Sequence, residues 1–205
     1  NNGTVSYSYS SCDVNGTNCG GLIGTVLKGG IVTDSHATGN VTGSHHLGGL
    51  IGASFGPVSH SYATGDVNGT TYGIGGLIGI SLKGDISQCY ATGDAIGTEY
   101  SIGGLIGENY VYISECHATG DVTGTKDLGG LVGENSGTVS HSYAHGEVTG
   151  TVRSGGLIGL SWKGDISNCS ATGEVIGFND IGGLIGLAIN SQVSHSYATG
   201  DVIGT

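Results

Sequence analysis

The sequence predicts an all-β protein, a parallel β-solenoid with about 27 residues and three short strands in each coil. The first observation is a repeated phrase, Gly-Gly-Leu-Ile-Gly with valine once replacing isoleucine, whose seven copies start 26 to 28 residues apart. The second is that apolar residues alternate instead of recurring every three or four positions. The third is the presence of 44 glycines, each of which would cost a helix about 1 kcal/mol. Base rates for parallel strand connections favour a right-handed coil. The phrase begins at Gly20, Gly48, Gly75, Gly103, Gly129, Gly155 and Gly182.

Composition excludes several classes of protein. The chain has 205 residues, a formal net charge of -11 and only 5 basic residues, so it lacks a basic patch for nucleic acid or an anionic membrane. No apolar run approaches the roughly 18 residues of a membrane span. We expect residues 1–205 to form one solenoid of seven to eight coils, about 35 Å long at a coil spacing of about 4.8 Å. Because both ends fall in mid-repeat, we expect this solenoid to be part of a longer array.

Each repeat unit has three parts. The phrase forms the first predicted strand and is followed by a variable turn, such as residues 80–85. An alternating segment follows, as in residues 58–65, and then a short strand, as in residues 66–69. A loop of varying length leads back to the next phrase.

Stacked coils place equivalent residues in columns, which distinguish the interior from the surface. In the alternating segment two columns hold only small residues, as a narrow interior requires. The first is Ser35, Ser61, Cys89, Cys116, Ser142, Cys169 and Ser196, and the second is Ala37, Ala63, Ala91, Ala118, Ala144, Ala171 and Ala198. Charged, aromatic and threonine residues occupy the alternate positions, which we expect to face solvent.

The leucine of each phrase, from Leu22 to Leu184, is predicted to form the main core column. Strict alternation would turn the neighbouring isoleucine column, represented by Ile78, outward and leave an exposed aliphatic stripe. The alternative is a corner in the chain that turns both side chains inward. The residues alone leave both arrangements open.

The repeated phrase, with Ser-Tyr-Ala-Thr-Gly-Asp-Val at residues 61–67, resembles the GLUG-motif repeat family. The resemblance covers essentially the whole chain, in seven copies plus an incomplete first unit. This family occurs in repeat regions of large bacterial surface and secreted proteins, including adhesin-like proteins and the non-catalytic parts of some immunoglobulin A peptidases. The resemblance therefore implies an extracellular or cell-surface stalk or binding module, not an enzyme. The chain departs from the family pattern at Asn40, at His145 and at residues 10–12.

Five cysteines leave at least one thiol outside any intramolecular pair. We interpret Cys89, Cys116 and Cys169 as buried small residues that replace serine, although Cys89 and Cys116 lie one coil apart, where a disulfide is sterically possible. Cys12 and Cys19 replace no recurring serine and flank one turn. A disulfide between these two residues is possible in an extracellular protein.

One acidic residue follows glycine in almost every coil, and the column is interrupted only at Asn40. Like charges about 4.8 Å apart need donors or counterions, so either calcium binding or capping of turn amides would explain them. We favour capping, since the calcium-binding nonapeptide repeat is absent. The column is Asp13, Asp66, Asp94, Asp121, Glu147, Glu174 and Asp201.

Catalysis on a solenoid would need an irregular cluster of acids and bases on one face. Acids here recur at one phase, so we expect no coil to add a carboxylate that its neighbours lack, and we predict no catalytic residue and no resident metal. The only local concentration is His117, His141 and His145 around Tyr143. These histidines could bind a transition metal, but we interpret them as isolated surface residues.

The remaining candidate surface is the outward face of the alternating segment. Aromatic rings beside hydroxyls suit a glycan or protein ligand, whereas the alternative is that the tyrosines stack on one another and only cover the sheet. A second possible function is ice binding by a flat Thr/Tyr face, although Asp34, Glu115, Ser170 and His145 interrupt it. Open coil ends also predict end-to-end or side-by-side self-association. The candidate binding residues are His60, Tyr62, Thr64, Tyr90, Thr92, His117, Thr119, Tyr143, Tyr197 and Thr199.

Overall fold

The computed structural model describes residues 3–205 and confirms the parallel β-solenoid. Equivalent strands of successive coils pair in parallel, and the pairing joins identical positions of the repeat, such as Tyr62 with Tyr90 and Ala63 with Ala91. Each coil contains five short strands instead of the predicted three, so the strands form five sheets, named A to E in chain order. The described residues contain no helix, and hence no helix that could cross a membrane.

Sheets A, B and C each contain eight strands. Sheet A consists of Thr4–Ser6, Ile31–Thr33, Val58–Ser59, Ile86–Ser87, Tyr112–Ser114, Thr138–Ser140, Asp165–Ser167 and Gln192–Ser194. Sheet B consists of Tyr9–Ser10, His36–Ala37, Tyr62–Ala63, Tyr90–Ala91, His117–Ala118, Tyr143–Ala144, Ser170–Ala171 and Tyr197–Ala198. Sheet C consists of Val14–Gly16, Val41–Gly43, Val67–Gly69, Ala95–Gly97, Val122–Thr123, Val148–Thr149, Val175–Gly177 and Val202–Gly204.

Sheets D and E complete each coil, with six and seven strands. Sheet D consists of Leu47–Gly48, Tyr72–Gly75, Tyr100–Gly103, Lys126–Gly129, Val152–Gly155 and Asn179–Gly182. Sheet E consists of Ile23–Val26, Ile51–Ser54, Ile78–Ser81, Ile106–Asn109, Val132–Asn135, Ile158–Trp162 and Ile185–Ile189.

A corner divides the predicted alternating strand into sheets A and B. The corner residue has a left-handed backbone in every coil, as His60 does with φ 49°. Such a backbone turns the chain without changing the alternation that follows, so Ser61 and Ala63 remain buried while Thr64 is exposed. The same corner is formed by Tyr7, Asp34, His60, Gln88, Glu115, His141, Asn168 and His195.

The interior consists of two separate hydrophobic cores. The larger core lies between sheets A, B and E and contains the leucine, isoleucine and alanine columns, including Leu77, Ile78 and Ala91. The smaller core lies between sheets C and D, where Val67 packs with Ile74. The predicted return loop therefore contains a real strand before six of the seven Gly-Gly pairs, and the residue immediately before each of these pairs packs into the smaller core, except for the polar Ser154, which is also buried. That column is Leu47, Ile74, Ile102, Leu128, Ser154 and Ile181.

The repeated phrase forms the corner between sheets D and E, and this corner turns both the leucine and the isoleucine inward. Leu77 and Ile78 are both fully buried, and both of their amides donate to the carbonyl oxygen of Leu105, at 2.8 and 3.0 Å. The arrangement with an exposed isoleucine stripe is therefore wrong. Glycine is required here because a Cβ on Gly76 would overlap the Gly104 carbonyl oxygen and lie 3.0 Å from the Cβ of Ala91.

The serine and cysteine column links the coils through hydrogen bonds. Ser142 Oγ accepts the Cys116 amide at 3.1 Å, and Cys116 Sγ accepts the Cys89 amide at 3.4 Å. Cys89, Cys116 and Cys169 are buried free thiols, in agreement with their predicted role as replacements for serine. Burial also raises the pKa of the Cys169 thiol.

Cys12 and Cys19, between which the sequence leaves a disulfide possible, are both free thiols in the structure. Cys12 is exposed, whereas the Cys19 side chain packs against the core between sheets C and D and its Sγ donates to the Thr17 carbonyl oxygen at 3.4 Å. Cys19 also stands immediately before a Gly-Gly pair, as Leu47 does. It is therefore a core residue of the first coil.

Candidate functional surface

The outward face of sheet B carries a continuous stack of aromatic rings. Neighbouring rings are separated by 4.7 to 5.4 Å between centroids and are inclined by 2 to 10°. The spacing is that of the strands themselves, because the parallel register places each ring directly over the next. We call this stack the aromatic ladder; it consists of Tyr9, His36, Tyr62, Tyr90, His117 and Tyr143.

Stacking determines which atoms of the ladder remain available. Tyr62, Tyr90 and His117 are only partly exposed, because their ring faces are covered by the rings above and below. At these three positions a ligand can therefore reach ring edges and tyrosine hydroxyl groups but not ring faces. Threonines form an exposed row beside it, the threonine row, which consists of Thr38, Thr64, Thr92, Thr119, Thr172 and Thr199 and is interrupted by His145.

All the predicted binding residues lie on this side of the molecule. His60 is exposed at the corner, and Tyr197 belongs to sheet B in the last coil but is separated from the ladder by Ser170. Burial lowers the pKa of His117, with a smaller contribution from His145, so His117 favours its neutral form. Burial, and then Tyr62, raises the pKa of Tyr90. The ladder is therefore uncharged near neutral pH at these two positions.

The histidine group around Tyr143 does not converge on one point. His117 stacks on Tyr143 at 4.7 Å, while His145 leans against the same ring at 4.9 Å and 52° and contacts Thr172 Oγ1 through Nδ1 at 2.6 Å. Among residues 3–205, no three His, Cys, Asp or Glu side chains are grouped so that they could hold a metal ion.

The acidic column bonds the coils to one another. Asp13, Asp66, Asp94 and Asp121 each accept the backbone amide of the equivalent residue in the following coil; for example, Asp66 Oδ1 accepts from Asp94 at 3.0 Å, and Asp94 Oδ1 accepts from Asp121 at 2.9 Å. Asn40 makes the same bond to the Asp66 amide at 2.9 Å. The predicted capping role is confirmed for these residues, and a charge is not needed for it.

A second group of charged residues, which the sequence interpretation missed, lies between sheets D and E. Glu108 and Glu134 are register partners on sheet E, and Glu108 is only 9% exposed. Burial, and then the charge of Glu134, raises the pKa of Glu108 to about 7. The expectation that no coil adds a carboxylate was therefore wrong. The sequence did contain a signal for these two glutamates, because the other coils place uncharged residues in the same column. Those residues are Thr25, Ala53, Ile80, Leu160 and Leu187.

Sheet D supplies the facing members of this group, which we call the acid crease: Glu108, Glu134, Ser101, Asp127 and Arg153. Arg153 holds Asp127 with two contacts, Nε to Oδ1 at 2.7 Å and Nη2 to Oδ2 at 2.9 Å. Burial outweighs this ion pair and raises the pKa of Asp127 to about 6. Ser101 Oγ donates to Glu134 at 3.3 Å. No enclosed pocket exists in the described part of the chain, so the crease is a packed cluster.

Comparison with known families identifies the repeat. The family described as the GLUG motif matches residues 70–96, 98–123, 150–176 and 179–203, which together make up just over half of the chain. The chain belongs to the GLUG-motif family. All four matched GLUG segments contain a complete strand of each of sheets D, E, A and B, followed by all or part of a sheet C strand. The family resemblance drawn from the repeated phrase is confirmed.

One curated relative of this GLUG chain is halomucin of Haloquadratum walsbyi, strain DSM 16790 / HBSQ001. The two sequences are 39% identical over 88 residues, which cover 40% of this chain and 1% of halomucin. The chain thus corresponds to a very small part of that relative. No solved structure matches the chain significantly.

Proposed function

We propose that the chain is a stiff, non-catalytic module of an extracellular or cell-surface protein. The observation that carries this proposal is the continuity of sheets A, B and C, each of which runs through eight strands without a break. Bending the rod would require broken backbone hydrogen bonds in at least one sheet. Membership of the GLUG family and a relative named halomucin support the surface location.

The fold makes the chain stiff but does not increase its end-to-end distance. A flexible chain of 205 residues would have a root-mean-square end-to-end distance of roughly 80 Å. Seven coils spaced by about 4.8 Å extend over only about 35 Å. The solenoid is therefore shorter than a flexible chain, but its axis has a fixed direction and its lateral faces repeat the same side chains at each coil.

Small-angle X-ray scattering of an in-phase duplication tests the proposal. Joining residues 1–181 to residues 20–205 preserves the repeat phase and adds six coils. We expect the maximum dimension to increase by about 29 Å with no change of cross-section. The matched control inserts the same number of glycine and serine residues between 181 and 182. A duplicated chain that thickens, or that scatters like the flexible control, would contradict the rod.

Attachment to a glycan along sheet B is a second candidate function. It is favoured by the threonine row beside exposed ring edges, since this combination presents hydroxyl groups at every coil. A glycan array with the wild-type chain and with the double variant Tyr90→Ala/Tyr143→Ala tests it, and the double variant should lose binding. Absence of glycan binding together with thermal hysteresis would favour ice binding instead.

A further inference from the structure

The aromatic ladder lacks one ring, at Ser170. Ser170 pairs in register with Tyr143 on one side and with Tyr197 on the other. Every other described position of this sheet B column carries tyrosine or histidine. Ser170 therefore supplies no ring between Tyr143 and Tyr197. Tyr143, which His145 contacts from the side at 4.9 Å and 52°, is 37% exposed, and Tyr197, in the last coil, is 61% exposed. The result is a notch on the surface, one ring wide.

The dimensions of the notch match those of a single ring. Tyr143 and Tyr197 lie two coils apart, which corresponds to roughly 9.6 Å. A ring placed midway would lie about 4.8 Å from each, and stacked neighbours in the intact ladder, such as Tyr62 and Tyr90, are 4.8 Å apart. The occupant can thus stack on two aromatic faces at the spacing that the fold already uses.

The edges of the notch are polar. Ser170 forms its floor with a short hydroxyl side chain, and exposed Asn168 lies on the corner at one side. On the other side His145 reaches from the Tyr143 coil to Thr172 of the Ser170 coil, with 2.6 Å between Nδ1 and Oγ1. Two aromatic faces surrounded by short polar groups suit a ring that is apolar on its faces and carries hydroxyl groups around its edge.

We propose that this notch binds one pyranose ring of a glycan, sandwiched between Tyr143 and Tyr197, with its hydroxyl groups directed to Ser170, His145 and Asn168. The inference rests on the glycan-binding function and assigns it to one place; it does not depend on the stiffness of the rod. Binding of a single ring should be weak, with a dissociation constant on the order of millimolar, because one ring offers few contact atoms.

Nuclear magnetic resonance of the whole chain with labelled tyrosine rings tests the notch. The probes are the methyl glycosides of glucose, galactose, mannose and N-acetylglucosamine, with N-acetyltyrosinamide as an aromatic probe of similar size. We expect at least one glycoside to shift the ring signals of Tyr143 and Tyr197 while those of Tyr62 and Tyr90 stay in place. No shift with any glycoside, or shifts with N-acetyltyrosinamide alone, would overturn the proposal.

Two variants separate the notch from the rest of the face. Ser170→Tyr supplies the missing ring, so it should weaken glycoside binding at least tenfold and leave the circular dichroism spectrum unchanged. Tyr100→Ala removes a ring that stacks on Tyr72 on sheet D, away from the candidate binding residues, and should leave the Tyr143 and Tyr197 shifts intact. If Ser170→Tyr binds glycosides as the wild type does while the double variant Tyr90→Ala/Tyr143→Ala loses binding, the notch is wrong but the glycan-binding face stands. Absence of any glycan binding by the wild-type chain would contradict both the notch and the glycan-binding face.

Discussion

Replacing Glu108 by glutamine tests whether the acid crease makes the fold sensitive to pH. Burial and the neighbouring Glu134 raise the pKa of Glu108 to about 7, compared with an ordinary value of 4.5. The folded protein therefore keeps a proton on this carboxyl over a range of pH in which the unfolded chain has lost it. A difference of about 2.5 pKa units corresponds to about 3 kcal/mol of unfolding free energy.

The direction of the effect follows from proton binding. Below pH 4.5 Glu108 is protonated in both the folded and the unfolded state, so its titration does not lower the free energy of unfolding. Between pH 4.5 and 7 the free energy of unfolding falls as the pH rises. Above pH 7 the full loss of about 3 kcal/mol is present. Glutamine is neutral at every pH and has nearly the same shape. Glu108→Gln should therefore stabilise the protein by up to about 3 kcal/mol at pH 8.5 but by less than about 1 kcal/mol at pH 5.

Urea denaturation followed by circular dichroism, at four pH values between 5 and 8.5, measures this difference. Because repeat arrays can unfold unit by unit, hydrogen exchange of the Ile106 and Val132 amides should accompany it. Glu99→Gln, at an exposed glutamate in the same region of the chain, is the control and should give no pH-dependent gain. A Glu108→Gln variant that is no more stable at pH 8.5, or equally stabilised at pH 5 and 8.5, would refute the reasoning.

Substitutions at four further positions test the packing between coils. Ser154→Ile should stabilise the protein by about 1 to 2 kcal/mol, since the buried Ser154 Oγ has no hydrogen-bond partner within residues 3–205 and other coils place leucine or isoleucine there. Gly76→Ala should cost more than about 2 kcal/mol, because the added methyl group overlaps backbone; thermal denaturation measures both changes. Asp94→Asn should be nearly neutral at pH 7, as Asn40 makes the same bond, whereas Asp94→Ala should lower stability by about 1 kcal/mol in urea. Cys116→Ser should change the urea midpoint little, because Ser142 occupies the same position in the next coil, and a loss above about 1.5 kcal/mol would contradict this equivalence.

The period and the inside–outside assignment could be predicted from the sequence because they depend on residues that repeat. The alanine column is buried from Ala37 to Ala171, and the leucine column forms the main core in the inner coils. Stacked coils give each repeated residue the same environment many times, so one inference applies to all of them. The fold class followed from this redundancy, as did the face that holds the candidate binding residues.

The number of strands could not be predicted in the same way. The corner between sheets A and B uses ordinary residues such as His60 and Gln88 in a left-handed conformation, for which glycine would have been the usual signal. The strands of sheet D were hidden because the segments that contain them vary in length. Their signal was nevertheless present, since Ile74 and Ile102 stand directly before a Gly-Gly pair, as their equivalents do in most units.

Departures from the repeat are the most informative positions of this solenoid. A side chain that recurs in every coil is stabilised by its own neighbours in the column, and its presence needs no ligand. Ser170 removes a ring from a stack, and Glu108 places a carboxylate in a column that is otherwise mostly apolar. In each case the neighbours are left with an uncovered ring face or an added charge, which the fold must tolerate or a partner must satisfy. In a repeat protein, the search for a site should therefore begin where one coil differs from the rest.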